Sequence, residues 1–249
     1  MSGPALSVVI PAYNEAPRLP GTLASVRAYL RGLGREHEIV VVDDGSSDTT
    51  AEVARDAGDD VRVLRHETNR GKGYAVRRGM LAATGARRLI TDADLSTPIE
   101  ELATLEAEIE HGFDIAIGSR AVAGALIEVH QPAYREAMGR LFNVLVQALL
   151  LPGLADTQCG FKLFTARAAR AAFSVSSLDG FSFDVEALYV ARHQGLRIAE
   201  VPVTWRNDAA TRVGLGGGAA AFVDLVRIRL RARRGAYGAP GGTAGERPT

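Results

Sequence analysis

The chain has 249 residues, 47% of them hydrophobic and 23% charged, with 27 glycines and few aromatics. That is room for one well-buried core, or a core with a small appendage, and it excludes a disordered or fibrous chain. Lys plus Arg and Asp plus Glu both total 29, so no bulk field draws the chain to nucleic acid, and the lone Cys159 excludes an internal disulfide or a cysteine zinc site.

Leu6 to Ile10 reads as a fully buried strand, too short to serve as the apolar part of a signal peptide. It stops at Pro11-Ala12-Tyr13-Asn14-Glu15. Leu19, Leu23, Val26, Leu30 and Leu33 then recur with the period of an amphipathic helix, closed by Gly32 and Gly34. Ile39 to Val42 predicts a second buried strand, broken by Asp43-Asp44-Gly45-Ser46-Ser47-Asp48. Ser47 or Asp48 caps a helix from Thr49 to about Ala57. Val61 to Leu64 predicts a third strand, followed by Asn69-Arg70-Gly71-Lys72-Gly73 and a helix through Met80. Arg88 to Thr91 predicts a fourth strand, running into Asp92-Ala93-Asp94. A helix with Ile99, Leu102, Leu105 and Ile109 on one face follows, then a fifth strand from Asp114 to Ile117 that ends at Gly118-Ser119-Arg120.

Strands alternating with helices predict a mainly parallel sheet with right-handed crossovers. Every polar motif falls just after a strand, at the carboxyl edge where open α/β sheets bind ligands. The second half is less regular. Met138, Leu141, Phe142, Leu145 and Leu149 form a helical stripe, and residues 156–162 read as a polar turn with an aromatic. Phe181 to Glu186 opens a helix, and Arg197 to Val203 reads as a last strand. Gly214 to Gly218 reads as a mobile loop, and five arginines lie between Arg227 and Arg234. The whole predicts one domain over residues 1–234, with a regular half at about 5–120 and a less regular half at about 121–234. A disordered Gly/Pro/Ala-rich tail is expected over 235–249. No stretch reaches the ~18 apolar residues of a membrane span, and the expected location is cytoplasmic.

The chemistry centres on Asp92 and Asp94. In extended chain, residues two apart point the same way, so both carboxylates can converge on one point beyond a buried strand. Hard oxygen pairs of this kind suit Mg²⁺ or Mn²⁺, with water and substrate phosphates completing the shell. An acidic turn leading into a helix at Ser96 and Pro98 is the plain alternative. Asp43 and Asp44 lie where a carboxylate could accept the N3–H of uracil, and Tyr13 could cover the base, although Asp-Gly-Ser is also ordinary turn chemistry. Glu15 could hold ribose hydroxyls or simply favour a helix start. Gly71-Lys72-Gly73 suggests a phosphate loop but lacks the spacing of a Walker motif. Arg120 and Arg212 are candidate phosphate clamps. Cys159 reads as packing, and the five histidines show no metal-ligand spacing.

Taken together, Pro-Ala-Tyr-Asn-Glu (11–15), Val-Val-Asp-Asp-Gly-Ser-Ser-Asp (41–48), Asn-Arg-Gly-Lys-Gly (69–73), Asp-Ala-Asp (92–94) and Gly-Ser-Arg (118–120) resemble the family 2 glycosyltransferases of GT-A fold. Asp-Thr-Gln-Cys-Gly-Phe-Lys (156–162), Phe-Asp-Val-Glu (183–186) and Glu-Val-Pro-Val-Thr-Trp (200–205) resemble the dolichyl-phosphate β-glucosyltransferase branch and its bacterial polyprenyl-phosphate relatives. The resemblance covers about residues 5–230 and implies a nucleotide-sugar half at about 5–120 and an acceptor half at about 121–234. It implies that Pro11, Tyr13, Glu15 and Asp44 hold the nucleoside, with Asp43, Lys72, Asp92 and Ala93 also lining the nucleotide site. It implies that Asp92 and Asp94 hold Mg²⁺ or Mn²⁺ on the diphosphate, and that Asp156 lies near the acceptor phosphate, with Arg120 and Arg212 as further catalytic candidates. The implied reaction is inverting transfer of a hexose, glucose first, from a UDP-sugar to a polyprenyl phosphate at a membrane surface. Thr211-Arg212-Val213 stands where relatives often carry Ser-Lys and a hydrophobic residue, and the glycine-rich 214–218 follows it. A soluble small-molecule acceptor and a non-catalytic nucleotide-sugar module are alternative readings, and a nucleotidyltransferase is a third, against which Pro-Ala-Tyr-Asn-Glu stands in place of a glycine-rich loop. Peripheral contact through the 138–151 helix and the arginine cluster competes with plain core packing.

Overall fold

Alternate residues of a strand face opposite layers, and here both faces of the central strands are apolar, so the sheet is buried on both sides. The computed structural model describes residues 3–130, 132–206 and 215–239. The strands are β1 (Leu6–Ala12), β2 (His37–Asp43), β3 (Val61–Arg65), β4 (Arg87–Ile90), β5 (Ile115–Ser119), β6 (Leu126–Val129), β7 (Lys162–Thr165), β8 (Ile198–Pro202) and β9 (Thr204–Arg206). The helices are α1 (Leu19–Gly32), α2 (Thr50–Asp56), α3 (Lys72–Ala82), α4 (Leu102–Glu110), α5 (Ala133–Leu149), α6 (Ala166–Phe173), α7 (Phe183–His193) and α8 (Leu215–Arg233). Leu6, Val8 and Ile10 pack with Leu23 and Val26 of α1 and Leu105 of α4. The intervening Val9 faces the other way, into the cluster of Val76 and Met80 of α3 and Leu188 of α7. A helix–sheet–helix sandwich results.

The seven-stranded sheet runs β3-β2-β1-β4-β7-β5-β8. The expected mainly parallel sheet is present, with one exception: β7 is antiparallel to both neighbours, Leu163 lying opposite Leu89 on one side and Ala116 on the other. Placing residues 156–162 in a turn missed that strand, because β7 is four residues long and starts at a lysine. Also unforeseen are α6, capped by Thr165 Oγ1 accepting from the Ala168 amide at 3.1 Å, and the small parallel pair β6–β9.

The α5 stripe, which the sequence leaves open between membrane contact and core packing, is divided: Phe142 and Val146 are buried, while Met138, Leu141 and Leu149 are 40–55% exposed. Two expectations for the second half are corrected. The glycines at 216–218 lie within α8, whose first residue is Leu215, so that part of the expected mobile loop is helical. Of the tail expected to be disordered over 235–249, the described residues 235–239 are not loose. Tyr237 is fully buried, and its hydroxyl donates to Glu186 Oε1 at 2.8 Å. Among the described residues no helix is long and apolar enough to cross a membrane.

Candidate active site

Parallel pairing sets Ala12 opposite Asp43 and Val9 opposite Ile90, so the loops after β1, β2 and β4 emerge side by side. The first two are stitched together. Asn14, at φ 54°, donates its amide to Ser46 Oγ at 2.8 Å and accepts from the Ser47 amide at 2.8 Å. The Glu15 amide donates to Thr50 Oγ1 at 2.8 Å, and Asp48 Oδ1 accepts from the Thr50 amide at 3.0 Å, although the N-cap of α2 is Thr49 and not the expected Ser47 or Asp48. Such reciprocal side chain–backbone bonds hold a loop that carries little apolar burial of its own.

The expected nucleoside residues lie on this rim. Tyr13 is 41% exposed, and Pro11 and Ala12 close β1. The Glu15 carboxylate is forked by Arg18, with both bonds at 2.7 Å. Asp43 is fully buried, Oδ1 accepting from the Ser46 amide at 3.0 Å and Oδ2 lying 3.2 Å from Arg65 Nε. Asp44 is also buried and heavily engaged, taking His66 Nδ1 at 2.7 Å and the amides of Arg70 and Gly71 at 2.7–3.2 Å. Its carboxylate therefore shapes the loop that leads to Lys72. The start of α3 is no open phosphate cradle either. Gly71 has φ 103°, and the Gly73 and Tyr74 amides both donate to the Asp179 carbonyl, at 2.8 and 3.3 Å.

Three cation–carboxylate pairs converge beyond β4 and β5 and at the start of the antiparallel β7. Lys72 Nζ is 2.6 Å from Asp92 Oδ1, Lys162 Nζ is 2.6 Å from Asp184 Oδ1, and Arg120 grips Asp156 through Nε at 2.7 Å and Nη2 at 2.9 Å. Asp156 also accepts the amides of Arg120 and Gln158, and Glu200 of β8 holds the amides of Ala155 and Asp156 at 2.8 and 2.7 Å. The Arg120 guanidinium lies 5.3 Å from the Trp205 ring. Desolvation alone would raise the Asp92 carboxyl, but the Lys72 charge and hydrogen bond, backed by Lys162 and Arg120, outweigh it and hold Asp92 below its ordinary value. Asp156 is lowered in the same way, burial being overcome by Arg120. For Asp184 burial wins against Lys162 and Lys72, and its carboxyl is raised. The Cys159 thiol is fully buried and pushed up by that burial, as a packing residue should be.

Asp92 and Asp94 fit a divalent cation. Asp94 Oδ1 accepts from the Ser96 amide at 3.0 Å, across a turn in which Leu95 takes the left-handed φ of 47°. A non-glycine residue held there is strained backbone, a feature concentrated at working sites. Among the described residues no group of three or more His, Cys, Asp or Glu could hold a metal. A pair of carboxylates is nonetheless the donor set that Mg²⁺ or Mn²⁺ takes when substrate phosphates and water supply the rest. Gly160 confirms how tightly the floor is built: a Cβ there would lie 2.1 Å from Asp92 Oδ2.

Of the expected site residues, Lys72, Asp92, Asp94, Arg120 and Asp156 come together, and Arg212 lies outside the described residues. Lys162, Asp184, Glu200 and Trp205 join the same constellation. They stand inside motifs noted in the sequence, but nothing in their spacing tied Lys162 to Asp184 across 22 residues or Glu200 to the amide of Asp156 across 44.

Comparison with known proteins identifies the family. The model of the family described as glycosyl transferase family 2 matches residues 7–173. The chain is 36% identical over 246 residues to a dolichyl-phosphate beta-glucosyltransferase of Dictyostelium discoideum, covering 91% of this chain and 74% of that protein. It is 37% identical over 249 residues to the Homo sapiens protein of that name, covering 93% and 77%. Among solved structures, mannosyl-3-phosphoglycerate synthase from Rubrobacter xylanophilus superposes with a TM-score of 0.72 at 21% identity, covering 93% of this chain and 75% of that one. Glucosyl-3-phosphoglycerate synthase from Mycobacterium tuberculosis, in complex with Mn²⁺, UDP and glucosyl-3-phosphoglycerate, superposes at 0.66 with 20% identity, covering 94% and 81%. The fold is GT-A, and the chain belongs to the family 2 glycosyltransferases.

Proposed function

We propose that this glycosyltransferase moves glucose from UDP-glucose to a polyprenyl phosphate of dolichyl type, with inversion, at a membrane surface. The observation that carries the reading is the convergence of Lys72–Asp92, Lys162–Asp184 and Arg120–Asp156 at one sheet edge, in a chain similar along most of its length to dolichyl-phosphate beta-glucosyltransferases. Tyr13, Pro11 and Ala93 border the nucleoside, and Asp43, Asp44 and Glu15 fix the loops around it. Asp92 and Asp94 hold Mg²⁺ or Mn²⁺, which supplies charge neutralisation for the leaving diphosphate. Lys72 keeps Asp92 ionised and lies beside the phosphates.

A lipid phosphate is already anionic, so orientation outweighs deprotonation. Asp156, whose oxygens accept four protein hydrogen bonds, acts as a positioning residue for Arg120. With Nε and Nη2 on Asp156, Nη1 is the end of Arg120 that faces an anion, and Arg212 is its proposed partner in binding phosphate. Contact with the membrane is through α5 and α8, joined by the edge-to-face pair Phe142–Phe222 at 5.6 Å. Leu141 and Val144 on one helix, and Val223, Val226 and Leu230 on the other, are 43–59% exposed. Arg229 and Arg233 on α8, and Arg234 just after it, are exposed as well, each adding about 1 kcal/mol beside anionic headgroups.

The test is UDP release from UDP-glucose with Mg²⁺ or Mn²⁺, with and without a short polyprenyl phosphate. Lipid-dependent release that EDTA abolishes is expected. Binding of UDP-glucose without lipid-dependent release overturns the acceptor and turns the search to soluble acceptors.

A further inference from the structure

We propose that Tyr237 and Glu186 are positioning residues for Lys72, fastening the chain that follows α8 to the start of α3 through the turn at 177–180. Glu186 is fully buried on α7, two residues beyond Asp184, and among the described residues touches none of the groups assigned above to donor or acceptor. Its Oε2 accepts the amides of Ser177 and Leu178, both at 2.7 Å. Its Oε1 accepts the Tyr237 hydroxyl at 2.8 Å and the Ser177 hydroxyl at 3.1 Å, with Arg231 Nε of α8 at 3.6 Å.

The turn pinned in this way is the surface on which α3 begins. The Asp179 carbonyl takes the Gly73 and Tyr74 amides, and the Asp179 carboxylate pairs with Arg77 at 2.6 Å. There is no slack between the two segments. A Cβ at Gly71 would lie 2.4 Å from the Asp179 carbonyl oxygen, and one at Gly73 would lie 2.5 Å from that of Leu178. Lys72 sits between those two glycines with its Nζ on Asp92. A displacement of the 177–180 turn must therefore move Lys72, because close-packed backbone transmits a shift rather than absorbing it. Tyr237 and Arg231 bring the far end of α8, the helix proposed to meet the membrane, into the same chain of contacts.

The inference rests on the proposed role of Lys72 at the donor diphosphate, and one experiment separates the two. Calorimetric binding of Mn²⁺·UDP is measured for the wild type, Tyr237→Phe, Lys72→Met and the double variant, with melting temperatures recorded alongside. Tyr237→Phe removes one hydroxyl and leaves the buried ring. Lys72→Met is expected to weaken binding at least tenfold. Tyr237→Phe is expected to weaken it about threefold in the wild type and by nothing in the Lys72→Met background, the signature of residues acting through one another. Glu186→Gln, of the same shape, is expected to show the same non-additivity. Unchanged affinity for Tyr237→Phe, or an equal loss in both backgrounds, overturns the inference, whatever the melting temperature does. Unchanged affinity for Lys72→Met overturns the assignment of Lys72 itself, and this inference with it.

Discussion

Replacing Gly160 with alanine adds one methyl group at the point where the site has no room for it. The new carbon would lie 2.1 Å from Asp92 Oδ2, 2.6 Å from its carbon and 2.9 Å from Oδ1. Ordinary contact begins near ~3.5 Å, so the carboxylate must retreat by about 1 Å. The Gly160 loop cannot yield instead, because Lys162 two residues later is bonded to Asp184 and β7 is locked between β4 and β5. The retreat carries Asp92 off Lys72, now at 2.6 Å, and off the position proposed for the metal. Crowding of this kind costs about 1–3 kcal/mol of stability. A misplacement of about 1 Å in a reacting array costs on the order of 10²-fold in rate. The assay is glucose transfer from UDP-glucose at saturating Mn²⁺, with thermal melting measured alongside. Gly160→Ala is expected to melt a few degrees lower and turn over about 100-fold more slowly, with the Mn²⁺ requirement shifted to higher concentration. Wild-type turnover and Mn²⁺ dependence would show that Asp92 tolerates the shift and does not hold the metal.

Asp156→Asn leaves Arg120, whose side chain is a quarter exposed, facing a neutral amide in place of a buried carboxylate, a loss of about 1–3 kcal/mol; turnover falls while UDP affinity holds, and untouched turnover refutes the positioning role. The same pair sets an acid limb. Arg120 overcomes burial to hold the Asp156 carboxyl below its usual value, so its contribution is complete above about pH 4, the unfolded value, and disappears as pH falls through the lower folded value. Melting temperatures from pH 7 to pH 3 are expected to drop less steeply for Asp156→Asn than for the wild type. Val144→Glu with Val226→Glu, at positions 59% and 56% exposed, should abolish flotation with anionic vesicles yet change stability by less than about 0.5 kcal/mol each. Retained flotation would remove α5 and α8 as the membrane face.

The sequence by itself determined the parallel half of the sheet and the place of the site. Strands such as Val8-Val9-Ile10 and Val40-Val41-Val42 are buried on both faces, so their apolar runs are unbroken, and each ends at a polar motif that the fold must put at its carboxyl edge. Asp92 and Asp94 were legible because their spacing is local. Tertiary structure decided the rest, for reasons of distance along the chain. Whether Lys72 meets Asp92, or Lys162 meets Asp184, depends on α3 and α7 docking against the sheet, and no local pattern encodes that meeting. The four residues of β7 are too few to show a period, and only the gap between β4 and β5 makes them a strand. Asp44, an open ligand in sequence, is closed by His66 and two amides once β3 pairs with β2. Tyr237, in a stretch whose composition reads as disordered, is held because Glu186 offers a buried carboxylate to its hydroxyl.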